Sequence, residues 1–212
     1  MSYVIMTDSC ANLPEELIEQ YGIEVLPLYF RVGDKEMKSY EKGKKTDFKQ
    51  FYDMMRKKEM ITTSLISPDR FTEAFDAVLA DGKDLLYLGF SSALSGTYQS
   101  STIAAAELSE KYPDRKIYAI DTLAASCGQG LIALYAAMLK EEGKTIDEVA
   151  AWAEESKLKA CHWFTVDDLF FLNRGGRVSI TSAIFGSMLQ IKPVMYVSDE
   201  GKLCVDSKAR GR

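Results

Sequence analysis

Hydroxyl side chains gather at four points of this sequence, each time close to small residues. The groups are Thr7-Asp8-Ser9, Thr62-Thr63-Ser64, Ser91-Ser92-Ala93-Leu94-Ser95-Gly96-Thr97, and Asp121-Thr122 through Ser126-Cys127-Gly128-Gln129-Gly130. Hydroxyls together with free N–H groups at a helix start make a site for an anionic head, either phosphate or carboxylate. Glycine lets the backbone approach such a ligand closely. Ser and Thr also cap helices routinely, so a single group reads equally well as local structure. Four groups at successive strand-to-helix junctions point to a site. Gly128-Gln129-Gly130 matches neither GxGxxG nor GxxxxGK[ST], so a nucleotide loop is not indicated.

A second cluster is Leu172-Asn173-Arg174-Gly175-Gly176-Arg177-Val178-Ser179. Two arginines three apart around glycines form either a solvated turn or a dock for an acidic or phosphate-bearing partner, since guanidinium forks suit such groups. Conventional catalytic parts are scarce. His162 is the single histidine and sits in a predicted strand, where a structural role is the simpler reading. No GxSxG or HExxH occurs, and no His, Cys or acid cluster has metal-ligand spacing. Asp167-Asp168 open a predicted helix and suit its dipole. A Ser/Cys–His hydrolase is therefore not supported, and neither a metal nor a cofactor is expected.

The elements that must position these groups alternate. Tyr3–Thr7 reads as a buried strand, and Pro14-Glu15-Glu16 opens a helix that Gly22 stops. Glu24–Val32 is β-rich, with Gly33-Asp34 turning into Lys35–Lys38; a solvated run Glu41–Lys45 then precedes a helix over Asp47–Lys58. Ser67-Pro68 starts a helix to about Leu79, followed by a strand at Asp84–Phe90 and a helix from Ser95 to Glu110. Further on come a strand at Lys116–Ile120, a helix at Gly128–Glu142, a capping box at Thr145–Glu148 and a strand at Lys159–Val166. Short apolar strands separated by helices predict a parallel sheet covered on both faces, a three-layer α/β/α unit over residues 1–165. Residues 166–212 change texture: a short helix, a glycine turn, a helix near Thr181–Leu189, and strands at Lys192–Ser198 and Lys202–Asp206. They read as the start of a smaller α+β second domain, incomplete where the sequence stops.

Composition sets the outer bounds. At about 150 residues per domain, 212 residues fit one domain and a fraction. The net charge of −5 lacks the basic footprint of a nucleic-acid binder. No signal peptide is evident and no apolar run is long enough to span a membrane. Cys10, Cys127, Cys161 and Cys204 are scattered, which suits free thiols in a reducing cytoplasm.

Seven short blocks in order give the sequence a family likeness. They are Thr7-Asp8-Ser9 with Leu13-Pro14, Thr63-Ser64 with Ser67-Pro68, Ser92-x-Leu94-Ser95-Gly96-Thr97-Tyr98, Asp121-Thr122 with Gly128 and Gly130, Gly176-Arg177-Val178-Ser179, Ile191-Lys192-Pro193, and Arg210-Gly211. In these the chain resembles the DegV family of bacterial fatty-acid-binding proteins, which includes the lipid-carrying subunits of fatty acid kinase. The resemblance implies a long-chain fatty acid held between two domains. Its carboxylate would rest on Thr63 and Ser95, with Ser64, Ser92, Gly96, Thr97 and Ser126 nearby. Such a protein does no chemistry alone but presents the carboxylate to a kinase subunit, which makes an acyl phosphate for phospholipid synthesis. Arg174, Arg177 and Arg210 would then be docking residues for that partner. The sequence departs from the family pattern by an extra glycine at Gly175-Gly176, and family members continue beyond Arg-Gly with a segment that often supplies a histidine to the carboxylate. Two other readings use the same loops. One is an enzyme acting on a small phosphorylated or keto substrate, which would need an attachment histidine or metal-binding acids. The other is a lipid-sensing regulatory module that binds a protein through Arg174 and Arg177.

Overall fold

The computed structural model describes residues 2–44, 47–57, 59–167, 169–178 and 191–210, without the side chains of Phe170 and Ile191. The chain opens with strand β1 (Tyr3–Asp8), helix α1 (Glu15–Tyr21) and strand β2 (Glu24–Leu26). Strands β3 (Tyr29–Val32) and β4 (Lys35–Lys38), helix α2 (Phe48–Arg56) and strand β5 (Ile61–Ser64) follow. Helix α3 (Pro68–Ala80), β6 (Asp84–Gly89), α4 (Thr97–Lys111), β7 (Ile117–Asp121), α5 (Ser126–Glu141) and α6 (Ile146–Ser156) complete the N-terminal unit. Then come β8 (Trp163–Phe164), α7 (Leu169–Arg174), β9 (Ile191–Val197) and β10 (Leu203–Arg210).

Four strands form a parallel sheet in the order β2-β1-β6-β7. Side-chain alternation along β6 sends its residues to two separate cores. Leu86 and Leu88 join Tyr3, Ile5 and Ile120 beneath Ile132, Ala133 and Ala136 of α5 and Val149 and Ala153 of α6. Leu85 and Tyr87 join Met6 beneath Phe71, Phe75 and Leu79 of α3 and Ala104 and Leu108 of α4. Helices on both faces explain why β6 is buried along its full length. The α/β/α layering expected from the alternation is thus what the chain adopts.

One expectation needs correction. Thr62-Thr63-Ser64 is not a strand-to-helix loop of the parallel sheet. It lies in β5, whose Thr63 and Ser64 pair with Phe30 and Tyr29 of β3 in an antiparallel sheet of order β4-β3-β5. The β-rich stretch Glu24–Val32 divides at Pro27-Leu28 and serves two sheets, β2 in one and β3 in the other. Proline has no N–H to continue the ladder, which favours the break there.

The C-terminal elements form a third sheet, β10-β9-β8, around Leu169, Val178 and Met195. The strand expected over Lys159–Val166 shortens to Trp163–Phe164 behind a 3-10 turn at Lys157–Lys159, and it pairs with β9. The strand expected over Lys202–Asp206 instead runs from Leu203 to Arg210, with a pairing irregularity between Val205 and Ser207. The helix expected near Thr181–Leu189 lies outside the described residues. Thr145 and Glu148 form the predicted capping box at the start of α6.

Strand order places the turn after β1 beside the turn after β6, where connections leave toward opposite sides of the sheet. This is the switch point at which α/β sheets hold ligands. Asp8, fully buried, ties these strand ends together. Its Oδ2 accepts from the Tyr87 hydroxyl at 2.8 Å, the Phe90 N–H at 2.9 Å and Gln129 Nε2 at 3.1 Å, and its Oδ1 accepts from the Cys10 N–H at 3.0 Å. Gln129 also donates to Thr7 Oγ1, which donates to the Leu88 carbonyl. Helix α5 seats tightly here: a Cβ on Gly130 would lie 2.5 Å from the Ala11 carbonyl oxygen.

Two substitutions test this seating by urea denaturation. Gly130→Ala should lower stability by about 1–3 kcal/mol through forced displacement of α5. Asp8→Asn should cost about 1–3 kcal/mol, because it removes a charged acceptor and leaves one of the surrounding N–H donors facing an NH₂. An unchanged midpoint in either variant would refute the corresponding contact.

Candidate functional site

Three hydroxyl groups do occupy the carboxyl ends of parallel strands, but most of their members hold the backbone. Ser9 Oγ accepts from the Leu28 N–H at 2.9 Å and lies 2.6 Å from Ser39 Oγ, fastening the small antiparallel sheet to the end of β1. Thr122 donates to the Gly89 carbonyl at 2.7 Å, and Ser91 donates to the Gly201 carbonyl at 2.8 Å. Ser126 donates to Asn12 Oδ1 at 3.0 Å. For these residues the local structural explanation accounts for the hydroxyl.

A second set is different. Ser64 Oγ is buried and has no hydrogen-bonding partner among the described residues. Ser95 Oγ lies 2.9 Å from Thr97 Oγ1 and accepts from the Thr97 N–H at 3.2 Å, at the N-terminus of the 15-residue helix α4. The two neighbourhoods meet, since a Cβ on Gly96 would come within 3.1 Å of Leu65 Cδ2. Thr63 is exposed on β5, Gly96 is exposed at the N-cap of α4, and Thr97 is fully buried. Ser92 is half-buried and held by its N–H on Asp121 Oδ1 at 3.2 Å, the oxygen that also accepts from the Leu123 N–H. The antiparallel sheet therefore carries Thr63 and Ser64 to the start of α4, beside the parallel-strand loops. Helix N-termini favour negative charge through aligned N–H groups and dipole.

Backbone strain concentrates on this side of the sheet. Asn12, Leu123 and Ser126 have φ of 49°, 51° and 51°, in the left-handed region that non-glycine residues avoid. Residues held so tend to cluster at ligand sites. The glycines of α5 serve packing rather than an open approach to a ligand. A Cβ on Gly128 would fall 1.7 Å from His162 Nε2, so the single histidine lies over the first turn of that helix. Burial lowers the His162 pKa, and its Nε2 has no partner among the described residues. Burial likewise pushes the Asp8 carboxyl up, against the pull of its four donors. The Cys10 thiol is pushed up by burial and by Asp8, with Arg177 acting the other way.

The three arginines separate. Arg174 is exposed, with its guanidinium 4.7 Å from the Phe171 ring centroid. Arg210 is exposed on β10 opposite Ile191. Arg177, although largely exposed, donates from Nε to the Leu94 carbonyl at 3.0 Å and from Nη1 to the Gly175 carbonyl. The Ala183–Leu189 segment expected to shape an acyl tunnel is outside the described residues. Sequence reasoning missed Gln129, the hub role of Asp8, and the contact of Gly201 with Ser91. Asp8 carried a signal, as a lone acid at the buried end of an apolar strand; the other two carried none.

Comparison with known proteins bears on this arrangement. A sequence profile of the DegV family, described as uncharacterised protein, matches residues 2–212. A DegV domain-containing protein of Clostridium perfringens is 49% identical over 210 residues, covering 99% of this chain and 72% of that protein. Another, from Streptococcus pyogenes, is 38% identical over 220 residues, covering 100% and 74%. Among solved structures, a DegV family protein from Thermus thermophilus described for its fatty acid binding superposes with a TM-score of 0.84. It shares 33% identity and is covered over 72% of its length by all of this chain. A stearic acid-binding protein from Eubacterium ventriosum gives a TM-score of 0.85 at 26% identity, covering 99% of this chain and 71% of that one. Among the described residues no helix is long and apolar enough to cross a membrane. By profile, identity and superposition alike, the chain belongs to the DegV family.

Proposed function

We propose that this protein binds a long-chain fatty acid and holds its carboxylate where β5 meets the start of α4. The observation that carries this reading is the buried Ser64 hydroxyl, unpartnered among the described residues and one residue before Leu65, whose side chain lies against the start of α4 at Gly96. A hydroxyl in that state gains a hydrogen bond from a carboxylate oxygen, and buried polar groups left unpaired cost about 1–3 kcal/mol. Ser64 and Ser95 donate to the head, Thr63 stands next to them on the exposed face of β5, Ser92 and Ser126 line the same side, and the Gly96 and Thr97 backbone supplies the helix start. Fatty-acid binding by a DegV family protein of Thermus thermophilus, and stearic acid binding by a protein of Eubacterium ventriosum, support the choice of ligand.

The division of labour follows from magnitudes. Burial of about 15 methylenes contributes about 12 kcal/mol gross at about 0.8 kcal/mol each. The tail provides affinity, and the hydroxyls fix the head. No acid–base residue is needed for that task. In this reading the protein is a cytoplasmic carrier rather than an enzyme, and it presents the carboxylate to a fatty acid kinase subunit that forms the acyl phosphate for phospholipid synthesis. Arg174, Arg177 and Arg210 are its docking residues. Residues 1–165 and 166–212 act as two units about the ligand.

Protein purified from bacteria should release a long-chain fatty acid on organic extraction, seen by mass spectrometry; lipid-free protein that also fails to take up palmitate would sink the carrier reading. Ser64→Ala and Ser95→Ala should each weaken palmitate binding about 10- to 100-fold, from loss of a hydrogen bond to a charged group at about 1.5–3 kcal/mol. Unchanged affinity in both variants would remove the head from this place.

A further inference from the structure

The loop that carries Ser92 and leads to Ser95 is held at two points by residues far away in the chain. At its start, Ser91 is fully buried and donates to the Gly201 carbonyl at 2.8 Å. Gly201 closes the β9–β10 turn with φ of 75°, and its N–H donates to the Ser198 carbonyl at 2.8 Å. A Cβ there would lie 2.2 Å from Ser91 Oγ and 3.2 Å from Leu123 Cα, so only glycine lets the turn seat this closely. Near its end, the Leu94 carbonyl accepts from Arg177 Nε at 3.0 Å. Arg177 is itself fixed, by Nη1 on the Gly175 carbonyl and by its backbone N–H on the Leu172 carbonyl at 3.0 Å. Between these anchors the loop is braced internally, with the Leu94 and Ser95 N–H groups donating to the Ser91 carbonyl at 3.0 and 3.2 Å.

We infer that Arg177 and Gly201 are positioning residues: they clamp the Ser91–Leu94 loop from the C-terminal unit and thereby set the Ser95 hydroxyl and the start of α4 for the ligand head. This rests on the fatty-acid reading above for its ligand, though the clamp itself does not. Two of the donor nitrogens of Arg177 are engaged by backbone carbonyls, so its contribution goes beyond a charge offered to a partner. Both clamp contacts join the C-terminal unit to a loop of the parallel sheet. Seating of the C-terminal sheet and order at the head site are therefore coupled.

The test uses the full chain and the variants Arg177→Ala, Arg177→Lys and Gly201→Ala, with palmitate and hexadecanol as probes of equal tail. Arg177→Ala and Gly201→Ala should each weaken palmitate binding about tenfold or more, while hexadecanol binding stays within about twofold. Amide exchange at Leu94–Thr97 of the lipid-free protein should accelerate in both, with the Leu85–Leu88 amides unchanged as a check on folding. Arg177→Lys keeps the charge but not the fork, so it should behave like Arg177→Ala. Wild-type behaviour of Arg177→Lys and Gly201→Ala, or equal losses for both probes, would overturn the clamp. If the unaltered protein bound no palmitate, the carrier reading would fall, and the exchange measurement would still decide the clamp: unaccelerated Leu94–Thr97 amides in both variants would overturn it.

Discussion

Everything near the switch point depends on one buried carboxylate. Asp8 gathers an N–H from its own turn, a phenol and an N–H from the next strand, and an amide from α5. A charge taken out of water is tolerated only when donors surround it. Those four donors come from three elements, so satisfying the carboxylate fixes where β1 and β6 end and where α5 begins relative to one another. The strand ends cannot drift without exposing an unsatisfied oxygen. That rigidity lets a loop as short as Ser91–Ser95 stand in one place.

The hydroxyls divide between two tasks that look alike in sequence. Thr7, Ser9, Ser91 and Thr122 close backbone or inter-loop hydrogen bonds, and their removal would loosen the frame. Ser64 and Ser95 stand where the frame meets the start of a long helix, and there an anion has both donors and dipole. The small antiparallel sheet makes this meeting, because Ser9 binds it to the end of β1 through Leu28 and Ser39. In the proposed site the ligand head is thus approached by one sheet from the side and one helix from its end.

The histidine illustrates how a residue with chemical potential can be absorbed by packing. His162 lies over Gly128, half-buried, and burial favours its neutral form. A positive charge at that helix start would oppose the dipole.

Much of this was written in local pattern. The apolar run Asp84–Gly89, the capping box at Thr145 and the glycine stop at Gly22 each depend on neighbours a few residues away, and each forms as the pattern demands. The alternation of such segments was enough for the α/β/α layering. The seven ordered blocks were enough for the family. Which hydroxyls are engaged, which glycines are crowded and where Arg177 reaches were not legible. Ser91 meets Gly201 across 110 positions, and Arg177 meets Leu94 across 83. Thr62-Thr63-Ser64 looked like a loop because a strand of four residues at the edge of a small sheet has too few alternations to announce itself. Sequence determined the elements and the inventory of donors, since backbone propensity and periodicity act over a few residues. Tertiary structure alone decided which donors remain for a ligand, because a hydrogen bond between distant loops is fixed only when the packed sheets bring them together.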